Sequence, residues 1–397
     1  DSLIYRHGIS GADINLLPLY QATPPEHTKV VVAIVDTGVD PDHPDLQGQF
    51  WKNPDEIPAN GIDDDHNGFV DDTLGYDVSG DIISITNPVP DNDPTDIVGH
   101  GTHIAGIIAA ISDSKGIVGV APSALIMPVK IRPNATTSVA AAGIMYAVNA
   151  GATVINISWG TGYRSLLVED ALRIARLNGV FVAIAAGNNG ANSRLYPAAG
   201  DSAFAVAAGD ANGLMTSFST WGSQIQLVAP GQDILSLRAA NTDLYASANE
   251  PGVHIIDSKY YLADGTSMAA PMVAGAAALL LSYRPDLSLA NLESILRFGA
   301  DDLIDPRSTG DSLPGRDTVS GYGYLNVAAS LNLAVQGGVF IISPNEKRRY
   351  TDSMEVRIGA IQGYTGGWTL SWGAGVTPSA WNDLASNSLV PPDSVAA

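Results

Sequence analysis

Three residues far apart in the chain are of types that could do chemistry together. Asp36 closes the apolar run Val30 to Val35, His100 opens Gly99-His100-Gly101-Thr102-His103, and Ser267 lies inside Gly265-Thr266-Ser267-Met268-Ala269-Ala270-Pro271. A serine hydroxyl is a poor nucleophile until a neighbouring base takes its proton. An imidazole serves best as that base when a buried carboxylate fixes its tautomer and stabilises the imidazolium. The order acid, base, nucleophile along the chain differs from the Ser, Asp, His order of ester hydrolases built on a G-x-S-x-G elbow, and no such elbow is present.

The elements around these residues suit the task. Ser267 sits where an apolar, alanine-rich helix is expected to begin, running Thr266 to Tyr283, with Pro271 near its first turns, where a missing backbone donor costs least. At such a helix start the serine's own N–H can point at a developing oxyanion. Taken alone, this heptapeptide reads as a helix cap; with Asp36 and His100 in register it reads as a nucleophile. His103 follows His100 at i+3, a spacing at which two imidazoles could share a metal. The intervening residues are Gly and Thr, without the carboxylate of H-E-x-x-H, so His103 is expected to be structural. His7, His27, His43, His66 and His254 have no partner motif and default to surface or structural roles.

From residue 29 to about 285, short apolar runs alternate with segments of helical period: Lys29 to Val35, His100 to Ile111, Leu125 to Ile131, Thr137 to Ala150, Val154 to Ser158, Leu166 to Asn178, Val180 to Ala186. Such alternation predicts βαβ units and a parallel sheet buried on both faces. Ligands of such sheets bind beyond the carboxyl ends of strands, where Asp36, Ser158-Trp159-Gly160 and Asn188 all fall. Residues 51–98 form a polar, acidic insertion. From residue 336 to 397 the chain shows β-rich runs with no helical period, Val339 to Ser343, Met354 to Ile358 and Trp368 to Trp372, and Gly373 to Ala397 reads as loop. Two domains are therefore expected, 1–335 and 336–397, the second small or partial.

With these segments, residues 1–335 resemble the subtilisin-like (subtilase) serine endopeptidases, in particular the secreted bacterial type with a calcium-binding insertion. The resemblance implies a three-layer α/β fold with a mostly parallel central sheet, here followed by a small C-terminal β module. It implies peptide-bond hydrolysis of protein or peptide substrates, with Asp36, His100 and Ser267 as acid, base and nucleophile. Val182-Ala183-Ile184-Ala185-Ala186-Gly187-Asn188-Asn189-Gly190 is similar to the segment carrying the family's oxyanion-hole asparagine, which falls on Asn188, with Asn189 its local rival. Ser158-Trp159-Gly160 resembles the segment that lines the specificity pocket and pairs with the substrate backbone. An extracellular location, an N-terminal propeptide removed by self-cleavage and a monomeric enzyme are further expectations of the resemblance. A binding protein on the same scaffold would not require Asp36, His100, Ser267 and Asn188 together.

The acidic insertion points to calcium. Asp63, Asp65 and Asn67 place oxygen ligands at alternate positions before Gly68, as in D-x-D-x-N-G calcium loops, but the twelfth position is Leu74, so Asp71 or Asp72 must close the shell. Asp77 with Asp91, Asp93, Thr95 and Asp96 resembles a second calcium site before the base histidine, and Asp45 matches an aspartate that ligates calcium in many family members.

Composition agrees with these expectations and excludes others. A net charge of −21 over 397 residues argues against binding nucleic acid or anionic membrane through bulk electrostatics. With no cysteine, disulfides, thiolate metal sites and cysteine nucleophiles are excluded. No apolar stretch reaches the ~18 residues of a membrane span. Residues 1–20 lack the layout of a signal peptide, so the numbering is expected to start at a mature or trimmed N-terminus.

Overall fold

The computed structural model describes residues 13–16, 28–80, 89–240, 242, 255–256, 258–303, 305, 307, 315–343, 356–361, 368–372, 382–387 and 394–396. His7, His27 and His254, expected to be surface or structural, lie outside the described residues. The central sheet has seven strands. They are β1 (Val31–Asp36), β2 (Tyr76–Asp77), β3 (Leu125–Lys130), β4 (Val154–Ile157), β5 (Phe181–Ala185), β6 (Phe204–Gly209) and β7 (Ile225–Pro230). Across the sheet they run β2-β3-β1-β4-β5-β6-β7, every neighbouring pair parallel.

Consecutive side chains of β1 serve opposite faces, as the period of a strand requires. Val32 and Ile34 join a core cluster with Ile104 and Ile108 of α1 (His100–Ala109) and Val273 and Ala277 of α4 (Thr266–Tyr283). Ala33 and Val35 join the opposite cluster, with Ala140 and Ile144 of α2 (Thr137–Asn149) and Leu172 of α3 (Leu166–Leu177). Helix, sheet and helix thus make three layers, completed on the first face by α5 (Leu289–Phe298) and α6 (Val327–Gln336). Hydroxyl and amide caps start the outer helices, Thr136 for α2, Ser165 for α3, Ser288 for α5 and Asn326 for α6.

One expectation needs correcting. At 18 residues, α4 is long and apolar enough by length and composition to cross a membrane. Most of it is buried in the protein, by β4 to β7 beneath it and by α1, α5 and α6 around it.

Past β7, a small antiparallel sheet places β8 (Ile234–Leu237), β10 (Tyr260–Ala263) and β9 (Ile255–Ile256) side by side in that order, and β10 delivers the chain to the start of α4. The tail forms two further antiparallel sheets, β11 (Val339–Ser343), β12 (Val356–Ala360) and β15 (Ser394–Ala396), and β13 (Trp368–Trp372) with β14 (Asn382–Asn387). The last two strands fall where the sequence reads as loop. The Asn-Asp-Leu-Ala-Ser-Asn stretch of β14 has no alternation of its own and takes its strand form from pairing with β13. Ile361, only 2% exposed, belongs to the same apolar cluster as α4 and α6, and its N–H donates to Gly338 O at 2.9 Å. The step at Gly337-Gly338 therefore does not leave the tail wholly apart from the core.

The approach of α1 to the end of β1 is a close backbone joint. A Cβ on Gly101 would lie 2.0 Å from the Gly38 carbonyl oxygen, an impossible contact with backbone that cannot rotate away. Gly101→Ala should therefore destabilise the fold by roughly 1–3 kcal/mol, the usual range for overpacking, and lower Tm by at least a few degrees in a thermal melt. A melting curve identical to that of the parent would show that the two backbones are not in contact.

Candidate active site

Asp36, Ser158 and Asn188 stand at or just past the carboxyl ends of β1, β4 and β5, and the amino ends of α1 and α4 bring His100 and Ser267 beside them. The imidazole Nδ1 of His100 lies 2.6 Å from Asp36 Oδ1. A carboxylate can only accept, so Nδ1 carries the proton and Nε2 keeps its lone pair, the tautomer a base needs. The N–H of Thr37 donates to the same Oδ1 at 2.8 Å. Burial alone would push the His100 imidazolium down, but the charge and hydrogen bond of Asp36, with a further contribution from the charge of Asp96, outweigh it and leave the group above the ordinary histidine value.

Ser267 is the second residue of α4 and is held from two directions. Its hydroxyl donates to Ser158 O at 3.0 Å, and Ser158 Oγ donates back to Ser267 O at 3.0 Å. The second bond follows from Pro271, which has no N–H to offer the carbonyl four residues earlier and so frees it for Ser158. Buried Asn156 donates to Ser158 Oγ in turn. To meet the imidazole, the Ser267 hydroxyl gives up one neutral hydrogen bond, a net cost of only about 0.5–1.5 kcal/mol.

The amide of Asn188 is oriented by chemistry that permits one choice. Its Oδ1 accepts from Thr266 N–H and Thr266 Oγ1, both at 2.9 Å. A backbone N–H cannot accept, so the oxygen faces Thr266 and Nδ2 points the other way, free to donate. Gly265, at φ +149°, keeps that side clear, since a Cβ there would sit 3.3 Å from Nδ2. Asn189, the rival, is engaged elsewhere, donating to Ser193 Oγ and accepting from Thr220 Oγ1. Thr266, which fixes Asn188, was not singled out in the sequence, because a threonine at a helix start reads as an ordinary cap.

A cavity of about 360 Å³ opens beside the Asp36–His100 pair, lined among others by Ile131, Arg132, Trp159, Tyr163 and Val168. Trp159 is pinned by its Nε1–H to Val35 O at 2.9 Å, and Gly160 passes the Tyr196 carbonyl with little room for a side chain. His103 stays away from this chemistry. It is buried, its Nε2 bonds to Tyr261 O at 3.0 Å, and desolvation lowers its pKa to about 4, so it is a neutral structural group.

In the insertion, one oxygen each of Glu56, Asp65 and Asp72 lie within 4.8 Å of one another. Glu56 Oε2 is buried without a hydrogen-bond partner, and Asp72 is fully buried. Burial raises the pKa of Asp72, against hydrogen bonds from Tyr146, Asn53 and Asn67, and the charge of Asp65 raises it further. Three hard oxygen donors around one point fit a calcium ion. Glu56 has no place in the alternating spacing and only the fold brings it in. Asn67 lies at this cluster, its Nδ2 donating to Asp65 and Asp72. Asp63 and Asp71 instead receive backbone N–H groups, from Asn67 and Gly68 and from Asn60 and Gly61.

The second acidic cluster is held largely by partners of its own. Asp77 Oδ2 pairs with the buried ammonium of Lys130 at 2.9 Å, and its Oδ1 accepts from Ser79 and Gly80. Asp91 and Asp93 each accept the N–H two residues on, from Asp93 and Thr95, so the segment is closed by a lysine and local turns. Asp45 is buried and receives Tyr260 OH at 3.1 Å and Ile117 N–H at 3.2 Å.

Comparison with known proteins agrees with this geometry. Residues 27–323 match the model of the subtilase family, peptidase S8. The chain is 35% identical over 299 residues to the thermophilic serine proteinase of Bacillus sp. (strain AK1), covering 74% of this chain and 60% of that one. It is 34% identical over 333 residues to fervidolysin of Fervidobacterium pennivorans, covering 79% and 42%. The chain thus spans less than two thirds of the length of either relative. A solved protease of Pseudoalteromonas arctica PAMC 21717 superimposes with a TM-score of 0.62 at 28% identity, over 81% of this chain and 94% of that one. With the parallel sheet and the family match coinciding over the segments that carry Asp36, His100, Asn188 and Ser267, the chain belongs to the subtilase family.

Proposed function

We propose that the chain is a secreted serine endopeptidase that cleaves peptide bonds of proteins through an acyl-enzyme on Ser267 and is stabilised by calcium. The observation that carries the reading is the 2.6 Å bond from the His100 Nδ1–H to buried Asp36, with Ser267 at the start of α4, which packs against α1. In the first step His100 Nε2 takes the proton of Ser267 Oγ while Oγ bonds to the substrate carbonyl carbon. Asp36 stabilises the imidazolium that forms. The carbonyl oxygen becomes an oxyanion in reach of the Asn188 Nδ2–H and the Ser267 N–H. His100 then gives its proton to the leaving amine as the peptide C–N bond breaks. Water, deprotonated by the same imidazole, then bonds to the acyl carbon, and the C–Oγ bond breaks as His100 returns the proton to Ser267 Oγ. The cavity on the acid–base side, with Trp159, Tyr163 and Val168 in its wall, takes substrate side chains. Carried over from the resemblance are the extracellular location and the self-cleaved propeptide.

Calcium would be held by Glu56, Asp65 and Asp72, where it would neutralise charge and tie the insertion to Tyr146 of α2, whose hydroxyl donates to Asp72 at 2.8 Å.

Ser267→Ala should abolish hydrolysis of a small chromogenic peptide and labelling by a fluorophosphonate, while the circular-dichroism melt stays that of the parent. Labelling of the alanine variant at the parental rate would remove Ser267 from the mechanism.

Asn188→Ala should lower kcat by roughly 10²–10³ with little effect on KM, because the amide acts on charge present only in the transition state. That magnitude is the known effect of removing the equivalent donor in a subtilisin. A change confined to KM would assign the oxyanion to other donors.

Removing calcium should lower Tm, since an ion bound only by the folded loop adds about 3 kcal/mol at a hundredfold excess over Kd. Glu56→Gln with Asp72→Asn should make the melt insensitive to chelator. If calorimetry shows the same midpoint with and without chelator in the parent, the insertion holds no calcium.

A further inference from the structure

Asp96, read in the sequence with the acidic cluster, turns inward and gathers five donors. Its Oδ1 accepts from Thr37 Oγ1 at 2.9 Å, Val98 N–H at 2.9 Å and Gly99 N–H at 2.8 Å. Its Oδ2 accepts from Thr102 N–H at 2.9 Å and Thr102 Oγ1 at 2.7 Å. Four of these donors belong to the start of α1, where the cap residue Gly99 has no side chain to offer. The fifth belongs to the residue that follows Asp36. Thr37 is itself bonded on every polar atom that can turn toward the site: its N–H donates to Asp36 Oδ1, and its hydroxyl donates to Asp96 and accepts from Gly101 N–H at 2.9 Å.

We infer that Asp96, acting through Thr37, is a positioning residue that fixes the acid Asp36 and the base His100 relative to each other. The inference rests on the endopeptidase reading for its kinetic consequence but not for its geometry. A carboxylate at the end of a strand can swing about its side-chain torsions, and an imidazole on the first residue of a helix can do the same. The Thr37 N–H holds the Asp36 carboxylate, and the Thr37 hydroxyl ties that same residue to the helix start, both directly through Gly101 and through Asp96. Asp96 is 5% exposed, so water cannot substitute for the donors it would lose, and the cost of unpairing any of them is borne in full. Strand end and helix start therefore move as one body. A 1 Å error between acid and base is enough to cost about 10² in rate.

The test uses the whole chain with Thr37→Ser, Thr37→Ala and Thr37→Val, read in two ways. The downfield proton resonance of His100 Nδ1–H reports its bond to Asp36 whether or not the chain hydrolyses anything. Steady-state kinetics on a small chromogenic peptide, alongside thermal melts, report the consequence. Thr37→Ser, which keeps the hydroxyl, should retain the resonance and most of kcat. Thr37→Ala and Thr37→Val should broaden or lose the resonance and lower kcat roughly tenfold to a hundredfold, with KM nearly unchanged. An unaltered resonance in a folded Thr37→Ala or Thr37→Val chain overturns the inference, as does a loss in Thr37→Ser equal to that in Thr37→Val, which would make the methyl rather than the hydroxyl responsible. Should both hydroxyl-free variants be unfolded while Thr37→Ser is folded, Thr37 holds the fold and not the pair, and the inference again falls. If the parent itself shows the resonance but cleaves no peptide, the endopeptidase reading fails alone, and the resonance still decides whether Thr37, the link through which Asp96 acts, holds the pair.

Discussion

Everything at the site depends on backbone meeting backbone where β1 ends and α1 begins. The place a Cβ of residue 101 would take is filled by the Gly38 carbonyl, and Gly38, at φ +100°, has its own missing Cβ against Pro94 O at 2.4 Å. Three segments, the end of β1, the loop before α1 and the first turn of α1, are thus in contact without side chains between them. Contact of that kind cannot be adjusted by changing rotamers. It places the strand of Asp36 and the helix of His100 closer than any residue but glycine allows, and the 2.6 Å carboxylate–imidazole bond spans the same joint. The polar groups trapped by so close an approach must be satisfied from within, and one carboxylate, Asp96, satisfies five of them.

The same edge of the sheet buries three carboxylates, Asp36, Asp77 and Asp96, and each is made tolerable in a different way. A buried carboxylate without compensation costs several kcal/mol. Asp36 has an imidazole that can become a cation, which is a chemical opportunity. Asp77 has the permanent ammonium of Lys130, one residue of β3 directly across from Asp36 in the sheet register, which is a structural solution. Asp96 has only neutral donors, aligned at a helix start where the peptide dipoles favour a negative charge. The insertion follows none of these: among the described residues no ion pair reaches Glu56, Asp65 or Asp72, and their neutral partners Asn53, Asn67 and Tyr146 leave the net charge in place. That difference separates a cluster suited to a diffusible cation from one that carries its own.

The sheet and its helices were legible because their signals are local. Periods of two and of 3.6, and polar residues at strand ends, can be read one segment at a time, and the segments of Asp36, His100, Asn188 and Ser267 announce themselves by short motifs. What the sequence hid are relations between distant segments. Glu56 joins Asp72 only because the insertion folds back on itself. Lys130 lies inside the apolar run Leu125 to Ile131, with nothing in the sequence to indicate that its ammonium reaches Asp77. Asp96 looks like one more acid in an acidic stretch, and its direction, toward α1 rather than toward solvent, is set by the Gly99 and Thr102 donors that only the fold places around it. The strand Asn382–Asn387 was missed for the same reason, since its conformation is decided by β13 and not by its own residues.

Ser267 shows how the scaffold leaves one freedom and removes the others. Pro271 breaks the helical bond that would have bound the Ser267 carbonyl to its own helix, and Ser158 takes that carbonyl across to the end of β4. The backbone of residue 267 is therefore tied to the sheet by a partner outside its helix, while Thr266 next to it is tied to Asn188 by two bonds. The main chain of Ser267 and the amide of Asn188 are thus held at the neighbouring ends of β4 and β5. The side-chain torsion of Ser267 is left as a rotor, resting on the Ser158 carbonyl. If that rotor turns to the His100 imidazole, as the proposed mechanism requires, it gives up one neutral hydrogen bond at a net cost of about 0.5–1.5 kcal/mol, while the main chain around it stays tied to the sheet.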